Sequence, residues 1–285
     1  MNHHSIIETL DPEIVERMAP RAAEIRNGAS TSSTLAAGLG MASVPVAIAV
    51  LAKDVFAQSL PAGIVTVLNF ALTLEYLEST FYQMGLANAS LIPGSDLAIF
   101  QQISKHETDH VATLKAALGS AAIASPTFDF SGGSGSGTGP FGNPFATGNY
   151  ATFKALAQAF EDTGVRAYKG QAPNLQSNSA ILTVALQIHS VEARHASEVR
   201  RLRGNFSETA PNKGWITNAE TDIPGTAATY GPGNPAASFP GEDNTVQGGI
   251  DVTTLGYSKE VASEAFDEPL DMGTVLAIAG QFIHP

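Results

Sequence analysis

A chain of 285 residues, 44% of them hydrophobic, can bury a full core, and its length suits one helical domain with long extensions rather than two equal domains. The formal net charge of −12, with no long Lys/Arg run, argues against nucleic acid as a partner. With no cysteine, disulfides, iron–sulfur clusters and thiolate zinc sites are excluded, so any metal must be held by oxygen and nitrogen.

The first segment, residues 1–57, begins with a short predicted helix capped by Asp11 with Pro12 at its first position. From Ala29 to Ala52 no residue is charged, although Pro45 interrupts the apolar run. Three readings compete. The run and its small-residue ending Val55-Phe56-Ala57 suit a signal peptide, but five acids precede them. A membrane anchor needs about 20 apolar residues, and here Gly, Ser, Thr and Ala dilute the stretch. The third reading is a retained helix that is buried or faces a partner, and it is preferred. Membrane contact through 29–52 stays open, and an exported or membrane-associated location is favoured over the cytoplasm.

Residues 58–204 read as four helices. The first follows Ser59-Leu60-Pro61 and runs to about Ala87; a turn-rich link leads to a second, from Ser95-Asp96 to about Gly119, antiparallel because the link is short. Residues 125–149 form a Gly/Ser/Pro crossover carrying Phe128, Phe130, Phe141 and Phe145, aromatics that a plain linker has no use for and that are expected to pin it to the helices. The third helix is predicted from about Tyr150 to Gly170 and the fourth from about Ser177 to Arg203, stopped by Gly204. Arg200, Arg201 and Arg203 are expected to complement the dipole at that helix end. Residues 205–285 show no periodicity and read as an ordered wrap anchored by Trp215, Ile223, Tyr230, Phe239 and Tyr257, with a short apolar element over 273–282.

Two Glu-x-x-His motifs stand on these helices: Glu107 with His110, and Glu192 with His195. Residues three apart share a helix face, so each motif can offer one carboxylate and one imidazole to the same ion. Each is preceded by a glutamate on the previous helix, Glu75 and Glu161, and each of those is followed at plus seven by a tyrosine, Tyr82 and Tyr168. Between Val55 and Gly204 there are only six glutamates, and four belong to this constellation, whereas a solvated surface would carry far more. The chain therefore reads as two copies of a helical hairpin, packed as an all-α four-helix bundle with four carboxylates and two imidazoles inward.

The stretches LNFALTLEYLESTFY (68–82), ISKHETDHVATLKAAL (103–118), AFEDTGVRAYKGQA (159–172) and IHSVEARHASEVRRLRG (188–204) resemble the ferritin-like proteins often labelled desiccation-related. The resemblance runs from about Val55 to Gly204 and resumes in SEAFDEPLD (263–271). It implies a ferritin-like bundle with a dinuclear metal centre in a stress-associated family.

Four ionised carboxylates cannot be buried without counter-charge, and two divalent cations would supply it. Oxygen and nitrogen donors suit Fe or Mn, with Zn as another possible occupant, and six protein ligands for two ions leave positions open for water, oxygen or peroxide. The expected ligands are Glu75, Glu107, His110, Glu161, Glu192 and His195. Around them, Tyr82 and Tyr168 lean toward the centre or pack in the core; Asp109 and Arg194 are expected to form an ion pair behind the histidines; Glu78 is a seventh ligand, a proton shuttle or a replacement for Glu75, with Gly164 in the equivalent place of the second hairpin. His106 and His189 read as packed or surface residues. Two functions fit: an oxidoreductase handling oxygen or peroxide, ferroxidase-like or manganese-catalase-like, or a non-catalytic structural or assembly component that uses the bundle as scaffold, with metal absent or only stapling the helices; a homo-oligomer or larger assembly is possible in either case.

Overall fold

The computed structural model describes residues 60–204 and 213–284, so the readings of residues 1–57 lie outside the described residues. Four long helices carry the fold: α1 (Ala62–Ala87), α2 (Gly94–Leu118), α3 (Tyr150–Gln171) and α4 (Ser179–Arg203). Among the described residues, no helix is long and apolar enough to cross a membrane.

Their ends follow local chemistry. Pro61 precedes α1; Pro93 precedes α2, with Asp96 in its first turn where the helix dipole favours a negative charge. Gly119 ends α2 at φ 55°, a left-handed conformation that glycine adopts without strain. Asn178 caps α4, its Oδ1 accepting the Ile181 N–H at 3.1 Å.

The helices divide into two kinds. In α1 nearly every residue from Phe70 to Tyr82 is buried, and in α3 nearly every residue from Leu156 to Gln171, so both are central helices covered on all sides, and the polar side chains they carry must find partners inside. Helices α2 and α4 bury one stripe each: Phe100, Ile103, Glu107, His110 and Leu114 on α2, Ile181, Ile188, Glu192, His195 and Val199 on α4. Helix α1 packs chiefly on α2 and α3 on α4, with α1 also against α3. The apolar core falls into two clusters, one built around Leu77, Phe81, Phe100, Phe153 and Val199, the other around Leu68, Leu72, Leu114, Ile181 and Ile188. Between them lies a layer of charged side chains.

The crossover is pinned as its aromatics suggest. Phe130 is buried and Phe128, Phe141 and Phe145 are half-buried; the rings of Phe130 and Phe145 each lie 5.4 Å from that of Phe81. A two-residue strand there, β1 (Thr127–Phe128), pairs antiparallel with the final strand β4 (Ile283–His284), fastening the crossover to the end of the wrap.

The wrap contains only short elements: α5 (Ala227–Tyr230), the hairpin β2 (Val246–Gln247) and β3 (Ile250–Asp251), α6 (Lys259–Glu264) and α7 (Met272–Gly280), which realises the apolar element expected near 273–282. Ile223 and Tyr230 are buried anchors and Phe239 is half-buried, but Trp215 and Tyr257 are more than half exposed, Trp215 hydrogen-bonding Glu264 rather than burying its ring. Their place is taken by a cation. Arg166, fully buried on α3, donates to the carbonyls of Thr229, Gly231, Pro240, Glu268 and Pro269 and pairs with Glu242 at 2.8 Å. Next to it, Gly170 lets the wrap touch α3: a Cβ there would sit 2.0 Å from the Leu270 carbonyl oxygen.

The arginines at the end of α4 also do more than complement a dipole. Arg200 is buried against Asp162, whose Oδ2 also accepts the Tyr230 hydroxyl at 2.7 Å, and Arg203 reaches Asp222 at 2.9 Å.

Removing a partner from a buried ion pair leaves an uncompensated charge, at a cost of about 3–5 kcal/mol. Arg166→Met should lower thermal stability accordingly and speed proteolysis and amide exchange across residues 227–270 more than in α1 and α2. Uniform exchange changes would show that Arg166 supports the whole bundle and not the wrap in particular.

Candidate metal centre

The charged layer gathers the six predicted ligands. Glu75, Glu107, Glu161 and Glu192 are fully buried, and His110 and His195 nearly so. Each comes from the middle of a different helix or the next turn of the same one, so long, well-packed helices set their positions. The ligand atoms form two groups, each with all its atoms within 4.8 Å of one another: Glu75, Glu107, His110 and Glu192 in one, Glu107, Glu161, Glu192 and His195 in the other. Glu107 and Glu192 are common to both. One glutamate and one histidine belong to each group alone.

His110 Nδ1 lies 2.9 Å from Glu192 Oε1, 3.1 Å from Glu75 Oε2 and 3.3 Å from Glu107 Oε2. His195 Nδ1 lies 2.9 Å from Glu107 Oε1 and 3.3 Å from Glu161 Oε2, yet neither contact has hydrogen-bond geometry. Glu107 Oε1, Glu161 Oε2, both oxygens of Glu192 and His195 Nδ1 are buried without a hydrogen-bond partner. Such orphans are expensive unless something else satisfies them. Their convergence, and an all oxygen-and-nitrogen donor set, fit a bound cation in each group.

The tyrosines cross between hairpins. Tyr82 of α1 donates to Glu161 Oε1 of α3 at 2.5 Å, and Tyr168 of α3 donates to Glu75 Oε1 of α1 at 2.5 Å. Each terminal glutamate thus has one oxygen fixed by a phenol and the other turned toward a histidine. Burial first, then the neighbouring carboxylates, push both phenols far above their ordinary range, so they remain donors.

Burial alone would raise every carboxyl here and lower both imidazoles. Glu107 and Glu192 are nevertheless held below the usual carboxylate range, because contacts with His110 and His195 outweigh burial. Glu75 is pushed up to about 8, by burial first and then by the Glu192 and Glu107 charges, against the opposing pull of His110. Glu161 is raised for the same kinds of reason. Both imidazoles are held well above their ordinary value by the surrounding carboxylates, despite burial. Within one layer the shifts therefore run in opposite directions: Glu107 and Glu192 toward the ionised form, Glu75 and Glu161 toward the protonated one, and the two imidazoles toward imidazolium.

Glu78 is also buried, and its carboxyl is raised by burial and then by the charges of Glu192, Glu161, Glu107 and Glu75, with no cation to offset them. It belongs to neither ligand group. Its room comes from Gly164, where a Cβ would stand 3.3 Å from Glu78 Oε1. A small pocket between them is lined by Leu74, Leu77, Phe160 and Thr163 and covered by Ile278 and Ala279 of α7.

The predicted pair of Asp109 and Arg194 does not form. Asp109 pairs with Lys105 one turn back at 2.5 Å, Arg194 is exposed, and among the described residues no ion pair or hydrogen bond joins them. One residue before an inward histidine is about 100° around the helix, and on α4 that direction faces solvent. The contact behind a ligand histidine is made instead by His106, whose Nδ1 lies 2.9 Å from His195 Nε2. Burial first, then His195, lowers His106 to about 4, so its ring is neutral at ordinary pH. Its only signal in the sequence was its place one residue before Glu107. His189 belongs to neither ligand group.

A family model described as a ferritin-like domain matches residues 63–205. The chain belongs to the ferritin-like domain family. No curated protein matches it.

The protons on Glu75, Glu161 and the two imidazoles must leave before those atoms can hold a cation. Groups whose values are raised resist this at low pH and release their protons as pH rises, so affinity for a divalent cation should climb from pH 6 to pH 8. Calorimetry in buffers of different ionisation enthalpy should show net proton release on binding. An affinity independent of pH over that range would contradict the protonation pattern above.

Proposed function

We propose that the protein is a dinuclear Fe or Mn oxidoreductase acting on oxygen or peroxide in protection against stress or desiccation. The observation that supports it best is the set of buried, unpartnered ligand atoms arranged as two groups sharing two carboxylates. The stress role rests on the resemblance of the four helical stretches to desiccation-related ferritin-like proteins.

Glu75, His110, Glu107 and Glu192 would hold one ion, and Glu161, His195, Glu107 and Glu192 the other. Bound there, two redox-active ions would supply and accept the electrons that reduction of oxygen or disproportionation of peroxide requires. The protein's own part is geometric and electrostatic. Tyr82 and Tyr168 each hold one oxygen of a terminal glutamate and leave the other facing a histidine. The two apolar clusters above and below the layer exclude bulk water, which strengthens every charge interaction inside it. Glu78, beside the ligands and without a hydrogen-bond partner among the described residues, is placed to hold or release a proton at its Oε1 near the shared carboxylate of Glu192.

Protein loaded with Fe or Mn should consume hydrogen peroxide or oxygen at least ten-fold faster than the Glu107→Ala, Glu192→Ala double variant, which loses both shared carboxylates. Circular dichroism checks that the variant stays helical. Equal rates in two folded, metal-treated proteins would leave the bundle as a scaffold.

A further inference from the structure

The two halves of the centre differ in what stands behind their histidines. His106 sits on α2 but crosses to α4: beyond the 2.9 Å contact with His195 Nε2, the two rings stack with centroids 5.1 Å apart and planes 12° from parallel. One turn back, the exposed Gln102 places its side-chain amide nitrogen 2.5 Å from His106 Nε2. His195, His106 and Gln102 thus form a hydrogen-bonded line from the cage to the surface. His110 has no such support, because its Nε2 is buried without a hydrogen-bond partner. Shared carboxylates, terminal glutamate and tyrosine are otherwise matched between the halves.

An imidazole offers the Nδ1 lone pair to a cation only when its proton sits on Nε2, and an acceptor facing Nε2 holds it there. His106 Nδ1 is that acceptor once the proton of His106 is on its own Nε2, where the Gln102 side-chain oxygen can receive it after a half-turn of the amide. The ring stacking also fixes the plane of His195, so Nδ1 stays aimed between Glu107 and Glu161.

We propose that His106, supported by Gln102, is the positioning residue for His195 and makes the Glu161–His195 half the tighter of two unequal cation positions. It rests on the metal-centre reading above and assigns an order of filling within it: the half containing His195 loads first.

Zinc, which is redox-inactive, reads binding without turnover. Calorimetric titration of the full chain with Zn²⁺ should resolve two steps in the wild type. His106→Leu should weaken the tighter step by about 10–100-fold, the range typical of lost support to a ligand histidine, and leave the weaker step within two-fold. His106→Gln, which keeps an acceptor, should recover most of the loss. Nitrogen-15 shifts of the imidazoles should show the His195 proton on Nε2 in the zinc-loaded wild type. If the leucine variant loses its helical circular dichroism, Gln102→Ala at the exposed end of the line replaces it and should still weaken the tighter step selectively. Two equal steps in the wild type, or folded variants that leave both steps unchanged, would overturn this proposal while leaving the metal centre standing. A wild type that takes up no Zn²⁺, Fe²⁺ or Mn²⁺ would overturn the metal centre itself.

Discussion

Mutual cancellation of charge in one buried layer is the constraint on which the bundle depends. Carboxylates from α1, α2, α3 and α4 meet at full burial, where an unbalanced charge costs several kcal/mol. Two imidazoles sit among them, the carboxyls of Glu75 and Glu161 are shifted toward their protonated form, and two phenols each hold one oxygen of those two glutamates. Apolar clusters could not replace this layer without changing what the protein is for. They flank it on both sides, so the helices that bury the clusters also hold the charges in register.

The cross-pairing of tyrosines and glutamates gives the layer its specificity. Tyr82 satisfies a glutamate of the second hairpin and Tyr168 one of the first, so neither hairpin completes its own ligand set. The hairpins repeat nearly the same spacing of Glu, Tyr and Glu-x-x-His, but they are not interchangeable in detail. Glu78 has no counterpart opposite it, only Gly164, and His106 supports one ligand histidine alone.

Much of this was legible in the sequence because helical spacing is rigid. A Glu and a His three residues apart share a face wherever the helix goes, and the rarity of other glutamates between Val55 and Gly204 marked those faces as buried. The helix ends read from Pro61, Ser95-Asp96, Gly119, Ser177 and Gly204 fall within a few residues of those observed. Contacts between helices were harder. Asp109 and Arg194 hold equivalent places in the two motifs, but equivalence under a pseudo-twofold does not make residues neighbours, and Arg194 faces solvent. The contact between His106 and His195 depends on how far α2 slides along α4, which no spacing within one helix encodes. In the wrap, the aromatic side chains are the visible signal, whereas Arg166, the fully buried cation of α3, has partners that are mostly main-chain carbonyls and leave no pattern of residue types.

The cover over the Glu78 pocket comes from Ile278 and Ala279, whereas all six candidate ligands precede residue 196. During synthesis from the N-terminus, the cage can therefore assemble while its side at Glu78 and Gly164 is still uncovered. Helix α7 and the pairing of β4 with β1 can close over it only after some eighty further residues have been added, roughly 4–16 seconds at ordinary elongation rates. Order of translation alone gives a nascent chain an interval in which small ions and water meet less obstruction than they do in the finished fold.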